Sequence, residues 1–240
     1  RSLTANAKTN LEKAKIVYEY MQNKTRYISV QVGIGGWKPM LASDVDRLGY
    51  GDCKGLTNYT KAMLDEIGVE NFYTVIYGGR DVRHIDDSFS SVQGNHVILC
   101  VPNESDYLWL ECTSQTSPFG YNANFTDDRD ALIITPEGGK IVHTKVYSTE
   151  ENLLTSNAVI VLDEQGNIKA DIITKSYGTQ YGQHEGIQNQ TEKDQKLYFK
   201  KYWSYINALD ISSVTYNNDK DKIEFTETFN VAAERYAAKT

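Results

Sequence analysis

The stretch Tyr50-Gly51-Asp52-Cys53-Lys54-Gly55 decides how this chain is read. A turn of small and polar residues ends in a cysteine, and an amphipathic run starts there. Leu56, Thr60, Met63, Leu64 and Ile67 recur at helical spacing and predict a helix with one buried face. Gly68 ends the pattern, as a glycine just past a helix does. Cys53 is therefore expected in the first helical turn. Free backbone N–H groups and the helix dipole favour an anion there, an environment that lowers a thiol pKa. A thiolate can attack a carbonyl carbon. The plainer reading is a small apolar residue filling a core.

On the N-terminal side of this turn, Leu11, Ala14, Tyr18 and Met21 predict an amphipathic helix from about Thr4 to Asn23. Tyr27 to Val32 reads as a short extended segment, and Gly33, Gly35, Gly36 and Pro39 mark a loop. That loop lacks the Lys-Ser/Thr of a phosphate cradle. Ala42 to Leu48 reads as one helical turn. On the C-terminal side, Asn71 to Tyr77 is a predicted strand, and 78–94 a long polar loop. Val97 to Val101 and Tyr107 to Thr113 form a predicted hairpin. Ala131 to Thr135 and Lys140 to Val146 form another about Pro136-Glu137-Gly138-Gly139. Helices followed by an antiparallel sheet make an α+β order.

Ser148 to Thr155 has no periodicity, which places a domain boundary there and gives domains 1–150 and 151–240. Ala158 to Leu162 and Ile168 to Tyr177 read as a hairpin, and 178–190 as a polar stretch. Thr191 opens a helix in which Tyr198, Tyr202, Tyr205 and Leu209 align. Val214 to Tyr216 and Ile223 to Val231 are further strands. The second domain is thus expected to be smaller and β-rich with one helix, and no catalytic constellation is read in it.

The 240 residues are 40% hydrophobic and 24% charged, enough to bury a core. A net charge of -7 argues against a nucleic-acid or anionic-membrane surface. No apolar run approaches the ~20 residues of a membrane span. The 17 tyrosines suit half-buried strands. Arg1 to Asn10 reads as the start of a helix, so the chain is expected to be a piece of a longer parent with further domains. Three cysteines without C-x-x-C spacing indicate neither a disulfide framework nor a zinc site. Cys100 and Cys112 look like core residues. A bond between them is the one disulfide weighed, and it would leave Cys53 free.

A cysteine nucleophile needs a histidine to take its proton and a third group to hold the imidazole. His143 lies in a strand-like run, and His184 falls past the boundary. His96, at the first position of a strand, is favoured, with His84 in the long loop as its rival. Glu111, on the next strand, can be a cross-strand neighbour of His96. It can equally face water on an alternating strand.

Tyr50-Gly51-Asp52-Cys53-Lys54, Asn95-His96-Val97-Ile98 and Trp109-Leu110-Glu111-Cys112-Thr113, in this order, resemble the transglutaminase-like superfamily. Arg26-Tyr27-Ile28-Ser29 and Gly33 to Pro39 fit the same pattern, and the resemblance covers roughly Leu11 to Val146. It is nearest to bacterial multidomain proteins with a transglutaminase-like core and a C-terminal β-rich domain. It implies a papain-like core with helices packed on an antiparallel sheet. By position it makes Cys53 the nucleophile, His96 the base and Glu111 the orienting acid. The chain departs from the family at Glu111, where aspartate is usual, and at Gly55, where an acidic residue is usual.

The expected chemistry is cysteine-dependent acyl transfer on a peptide or amide, hydrolysis favoured over transamidation, through a thioester. Gln31, and more weakly Trp37, are the side-chain candidates for an oxyanion hole. No cofactor or metal is implied, and the expected partner is a peptide or protein substrate. The resemblance points to the cell envelope, periplasm or exterior. The competing expectation is a catalytically silent module that binds peptide or glycan, or serves as a scaffold in a larger envelope protein.

Overall fold

The computed structural model describes residues 1–237, which divide into two compact units, Arg1–Val146 and Tyr147 onward. The architecture is α+β, with helices and antiparallel sheets in both units.

In the first unit, helix α1 (Asn10–Lys24) starts later than its apolar spacing implies, because a capping box fixes its start. Thr9 Oγ1 accepts from the Glu12 N–H, and the Glu12 carboxylate accepts from the Thr9 N–H. Residues 2–4 form a separate 3-10 turn. Strand β1 is only Arg26–Tyr27, shorter than the extended run expected, and Gly33–Gly36 curls into a 3-10 turn. Helix α2 (Ala42–Leu48) ends at Gly49, whose φ of +70° a side chain rarely adopts. Strand β2 (Tyr50–Gly51) pairs with β1 in parallel, so the chain entering the cysteine turn is pinned to the segment after α1.

Helix α3 (Cys53–Glu66) follows at once. Asp52 is its N-cap, its carboxylate accepting from the Gly55 N–H at 2.9 Å, a cap worth about 1 kcal/mol. Ala14, Val17, Tyr18 and Met21 of α1 pack with Leu56, Tyr59 and Leu64 of α3 in one buried core.

Strands β3 (Phe72–Ile76), β4 (His96–Asn103), β5 (Asp106–Leu110), β6 (Asp130–Thr135) and β7 (Gly138–His143) form an antiparallel sheet ordered β5-β4-β3-β6-β7. Alternation splits β4. Leu99 and Val101 join the helical core, while Ile98 and Cys100 pack with Trp109, Ala131 and Ile133 in a second core. The β4–β5 ladder ends at Leu99 and Leu110, so β5 stops before Glu111, three residues short of the expected strand. Cys100 and Cys112 are buried and free, not bonded to each other. Burial pushes these thiols up to about 11 and about 12.

The second unit is a four-stranded antiparallel sheet with strand order β10-β11-β9-β8: β8 (Leu154–Leu162), β9 (Ile168–Ser176), β10 (Leu209–Asp219) and β11 (Glu224–Ala233). Two helices lie between β9 and β10, not one. Residues read as a polar stretch form α4 (Thr179–His184) and a 3-10 turn over Glu185–Asn189. Tyr181, His184 and Ile187 recur every three residues and are buried, a short stripe hidden among glycines and glutamines. Helix α5 (Glu192–Tyr202) begins at Thr191, which caps the Asp194 N–H. Its buried residue is Phe199, whereas Tyr198, Tyr202 and the following Tyr205 stand exposed. The aligned tyrosines therefore mark the outer face. No helix among the described residues is long and apolar enough to cross a membrane.

Candidate active site

Cys53 occupies the first position of α3, where its own N–H and that of Lys54 have no carbonyl within the helix to bond. Lys54 forms an ion pair with Asp52, largely buried, so the turn before the cysteine carries little free charge. Cys53 is half-buried and lines a cleft of ≈ 500 Å³ within the first unit. His96, Gln31, Trp37 and Tyr73 line the same cleft.

His96 opens β4, and its position is set by the residue before it. The Asn95 side chain accepts from the Gly78 N–H at 2.7 Å and donates to the Gly78 carbonyl at 2.9 Å. This closes the two ends of the 78–94 loop on each other. A Cβ at Gly78 would lie 2.5 Å from the Phe125 ring and 3.0 Å from the His96 Cβ, so the close approach needs a glycine. Phe125 in turn sets its ring edge-on to the imidazole, centroids 5.4 Å apart.

The Nε2 atom of His96 meets Glu111 Oε2 at 2.8 Å. With Nε2 committed to the carboxylate, Nδ1 is the nitrogen left to face Cys53, which lines the same cleft. The other Glu111 oxygen accepts from the Thr113 N–H at 3.0 Å and from the Thr113 hydroxyl. Both carboxylate oxygens are thus satisfied, and the Glu111 side chain is only 15% exposed, so it does not face water. Because Glu111 lies past the end of the β4–β5 ladder, it reaches His96 from a loop, and glutamate's extra methylene spans the gap.

Helix α1 supports that loop. The Tyr18 hydroxyl donates to the Glu111 carbonyl at 2.9 Å, and Gln22 donates to the Ser114 and Ser117 carbonyls. Burial disfavours charge on both partners of the His96–Glu111 pair. Against it, the Glu111 charge and the Cys53 contact push His96 up to about 10. His96 and Thr113 hold the Glu111 carboxyl below its ordinary 4.5. Burial first, and the neighbouring Cys53 and Asp52 side chains after it, raise the pKa of the Tyr73 hydroxyl.

Gln31 and Trp37 also line the cleft, both exposed, Trp37 at 70%. His84, the rival to His96, lies elsewhere. Its Nδ1 is 3.2 Å from Asp130, and its ring stacks on His143. His143 contacts Asp130 at 2.7 Å and Asp128 at 3.0 Å, and the hydrogen bonds to these carboxylates raise its pKa. Ligand atoms of His84, Asp130 and His143 lie within 4.8 Å of one another and could hold a metal ion, a grouping the sequence reading missed. Both His143 nitrogens already face carboxylates, so the contacts amount to a staple that fastens the 78–94 loop to β6 and β7. Phe125, Tyr73, Tyr18 and Thr113 were missed as well. Phe125, Tyr73 and Tyr18 reach the site only through the tertiary fold, whereas Thr113 lies two residues beyond Glu111 in the chain.

No family model matches the chain, and no curated protein does. A solved structure that it resembles is the "putative protease" from Parabacteroides distasonis, at a TM-score of 0.43 and 8% identity, over 97% of this chain and 48% of that one. The chain thus spans about half the length of that protein. A likeness this distant says nothing of the chemistry, and the functional reading rests on the cleft itself.

Proposed function

We propose that the first unit is a cysteine-dependent acyl-transfer catalyst acting on peptide or amide bonds, with hydrolysis as the outcome. The observation that carries this reading is the position of His96. It meets the Glu111 carboxylate at 2.8 Å and lines the same open cleft as Cys53. The order of residues and the helix-on-sheet arrangement fit a papain-like, transglutaminase-like core. The Glu111 departure leaves the orienting contact at a full-strength 2.8 Å.

His96 holds the proton taken from Cys53, and the thiolate attacks the substrate carbonyl carbon. The C=O π electrons move onto oxygen, where the Cys53 N–H and the Gln31 side chain stabilise the oxyanion. Collapse breaks the C–N bond. The leaving amine takes the His96 proton, and a thioester remains on Cys53. Water then gives its proton to His96 and attacks the thioester, and the thiolate departs. Glu111 keeps the ring oriented and balances its positive charge throughout.

The tests are alkylation by iodoacetamide at mildly acidic pH and, on separate unalkylated protein, trapping with an amide-mimicking electrophile. Cys53 should label faster than a free small thiol, and Cys53→Ala should abolish trapping. Labelling no faster than that thiol rules out an activated nucleophile.

A further inference from the structure

The second unit contains an acidic pocket that the acyl-transfer reading does not use. The inner face of its sheet is apolar, with Phe225, Phe229, Val231 and Ala233 buried along β11. One polar row interrupts it. Ser156 on β8 pairs in register with Thr174 on β9, Thr174 with Glu227 on β11, and Glu227 with Tyr216 on β10. The row therefore crosses all four strands. The Ser156 and Thr174 hydroxyls bond each other at 2.8 Å.

Glu227 is 1% exposed and meets His184 Nδ1 of α4 at 2.8 Å through Oε2. Its other oxygen, Oε1, has no hydrogen-bond partner among the described residues. A buried carboxylate oxygen without a donor is costly. Glu227 lines a pocket of ≈ 280 Å³, together with Ser156, Thr174, His184 and the rings of Phe199, Tyr202, Trp203, Tyr205 and Phe229. The polar groups come from the sheet row and α4, and the remaining lining is aromatic.

We propose that this pocket binds a protonated alkylamine. The ammonium group donates to Glu227 Oε1 and to the Ser156 and Thr174 oxygens, which keep acceptor lone pairs while bonded to each other. The aromatic rings then surround the charge and the first methylenes, where π faces attract a cation. An anion is repelled by Glu227. A sugar needs polar partners spread along its length, whereas these polar groups are gathered in one row.

The experiment is a 1H–15N titration of the full chain with n-butylammonium chloride at fixed ionic strength, read at the Trp203 indole signal. n-Butanol and glucose serve as neutral comparators. Saturable binding of n-butylammonium is expected, about tenfold or more tighter than n-butanol, because a charge-assisted hydrogen bond is involved. Glu227→Gln should weaken it about tenfold for the same reason. Tyr205→Ala, at an exposed position where folding is not at stake, should weaken it about threefold through the lost ring. The proposal fails if either neutral compound shifts Trp203 as strongly as the amine. It also fails if Glu227→Gln keeps both its melting temperature and its affinity. Should that variant not fold, the n-butanol comparison and Tyr205→Ala decide alone.

Discussion

His96 meets Glu111 at 2.8 Å in the first unit, and His184 meets Glu227 at the same distance in the second. The two pairs differ in what surrounds them. Around Glu111, both oxygens are filled and the imidazole shares a cleft with Cys53. Around Glu227, one oxygen has no partner among the described residues, and no cysteine lies in that unit. An imidazole held by a carboxylate is therefore not a catalytic device in itself. What differs is the other side of the ring, a cleft that holds a cysteine in one unit and an aromatic pocket in the other.

The largest expected effects test the first pair as machinery. Cys53→Ala should lower the rate of acyl-enzyme formation by about 10⁴-fold or more, measured with a fluorogenic amide. His96→Ala should lower it by about 10³-fold, the usual contribution of a positioned base. If His184→Ala lowers the rate as much, the contrast between the units is wrong.

Stability sharpens the contrast next. His184→Ala leaves Glu227 buried without a counter-group and should cost about 3 kcal/mol in urea unfolding. The double variant His184→Met/Glu227→Leu, apolar and of similar volume, should unfold at or above the wild-type midpoint. A double variant as unstable as the single one would show that the polar row organises the sheet.

The pH profile should separate the pairs further. His96 is raised from 6.5 to about 10, so its stabilising contribution is complete below 6.5 and is lost as pH rises through about 10. Glu111 is lowered from 4.5, so its contribution is complete above 4.5 and is lost as pH falls below it. Urea midpoints should accordingly hold a plateau between these limits, and His96→Gln should flatten the alkaline fall. The smallest effect is expected at the exposed staple. His143→Ala should cost at most about 1 kcal/mol, because its partners are well solvated.

Local rules made much of the fold legible. Asp52 and Gly68 bound α3, and Thr191 opens α5, because caps act within a few residues of themselves. Where two local signals competed, the apolar spacing misled. It ran α1 back to Thr4, although the Thr9–Glu12 box sets the start. It also aligned Tyr198, Tyr202, Tyr205 and Leu209 on one helix, although α5 ends at Tyr202 and Leu209 opens β10. Helix α4 was missed because a six-residue helix has too few turns to show a period.

What the sequence by itself determined is the local setting of Cys53: a small-residue turn, an acidic cap and a helix that begins at the sulfur. Only the tertiary structure decided which histidine stands beside it, that Glu111 closes on that ring from beyond the strand end, and that Ser156, Thr174, Glu227 and Tyr216 form a single row. The reason is physical. Caps and helical faces depend on neighbours a few residues away. Strand register and loop closure join residues tens of positions apart, and one step of register moves a side chain to the opposite face.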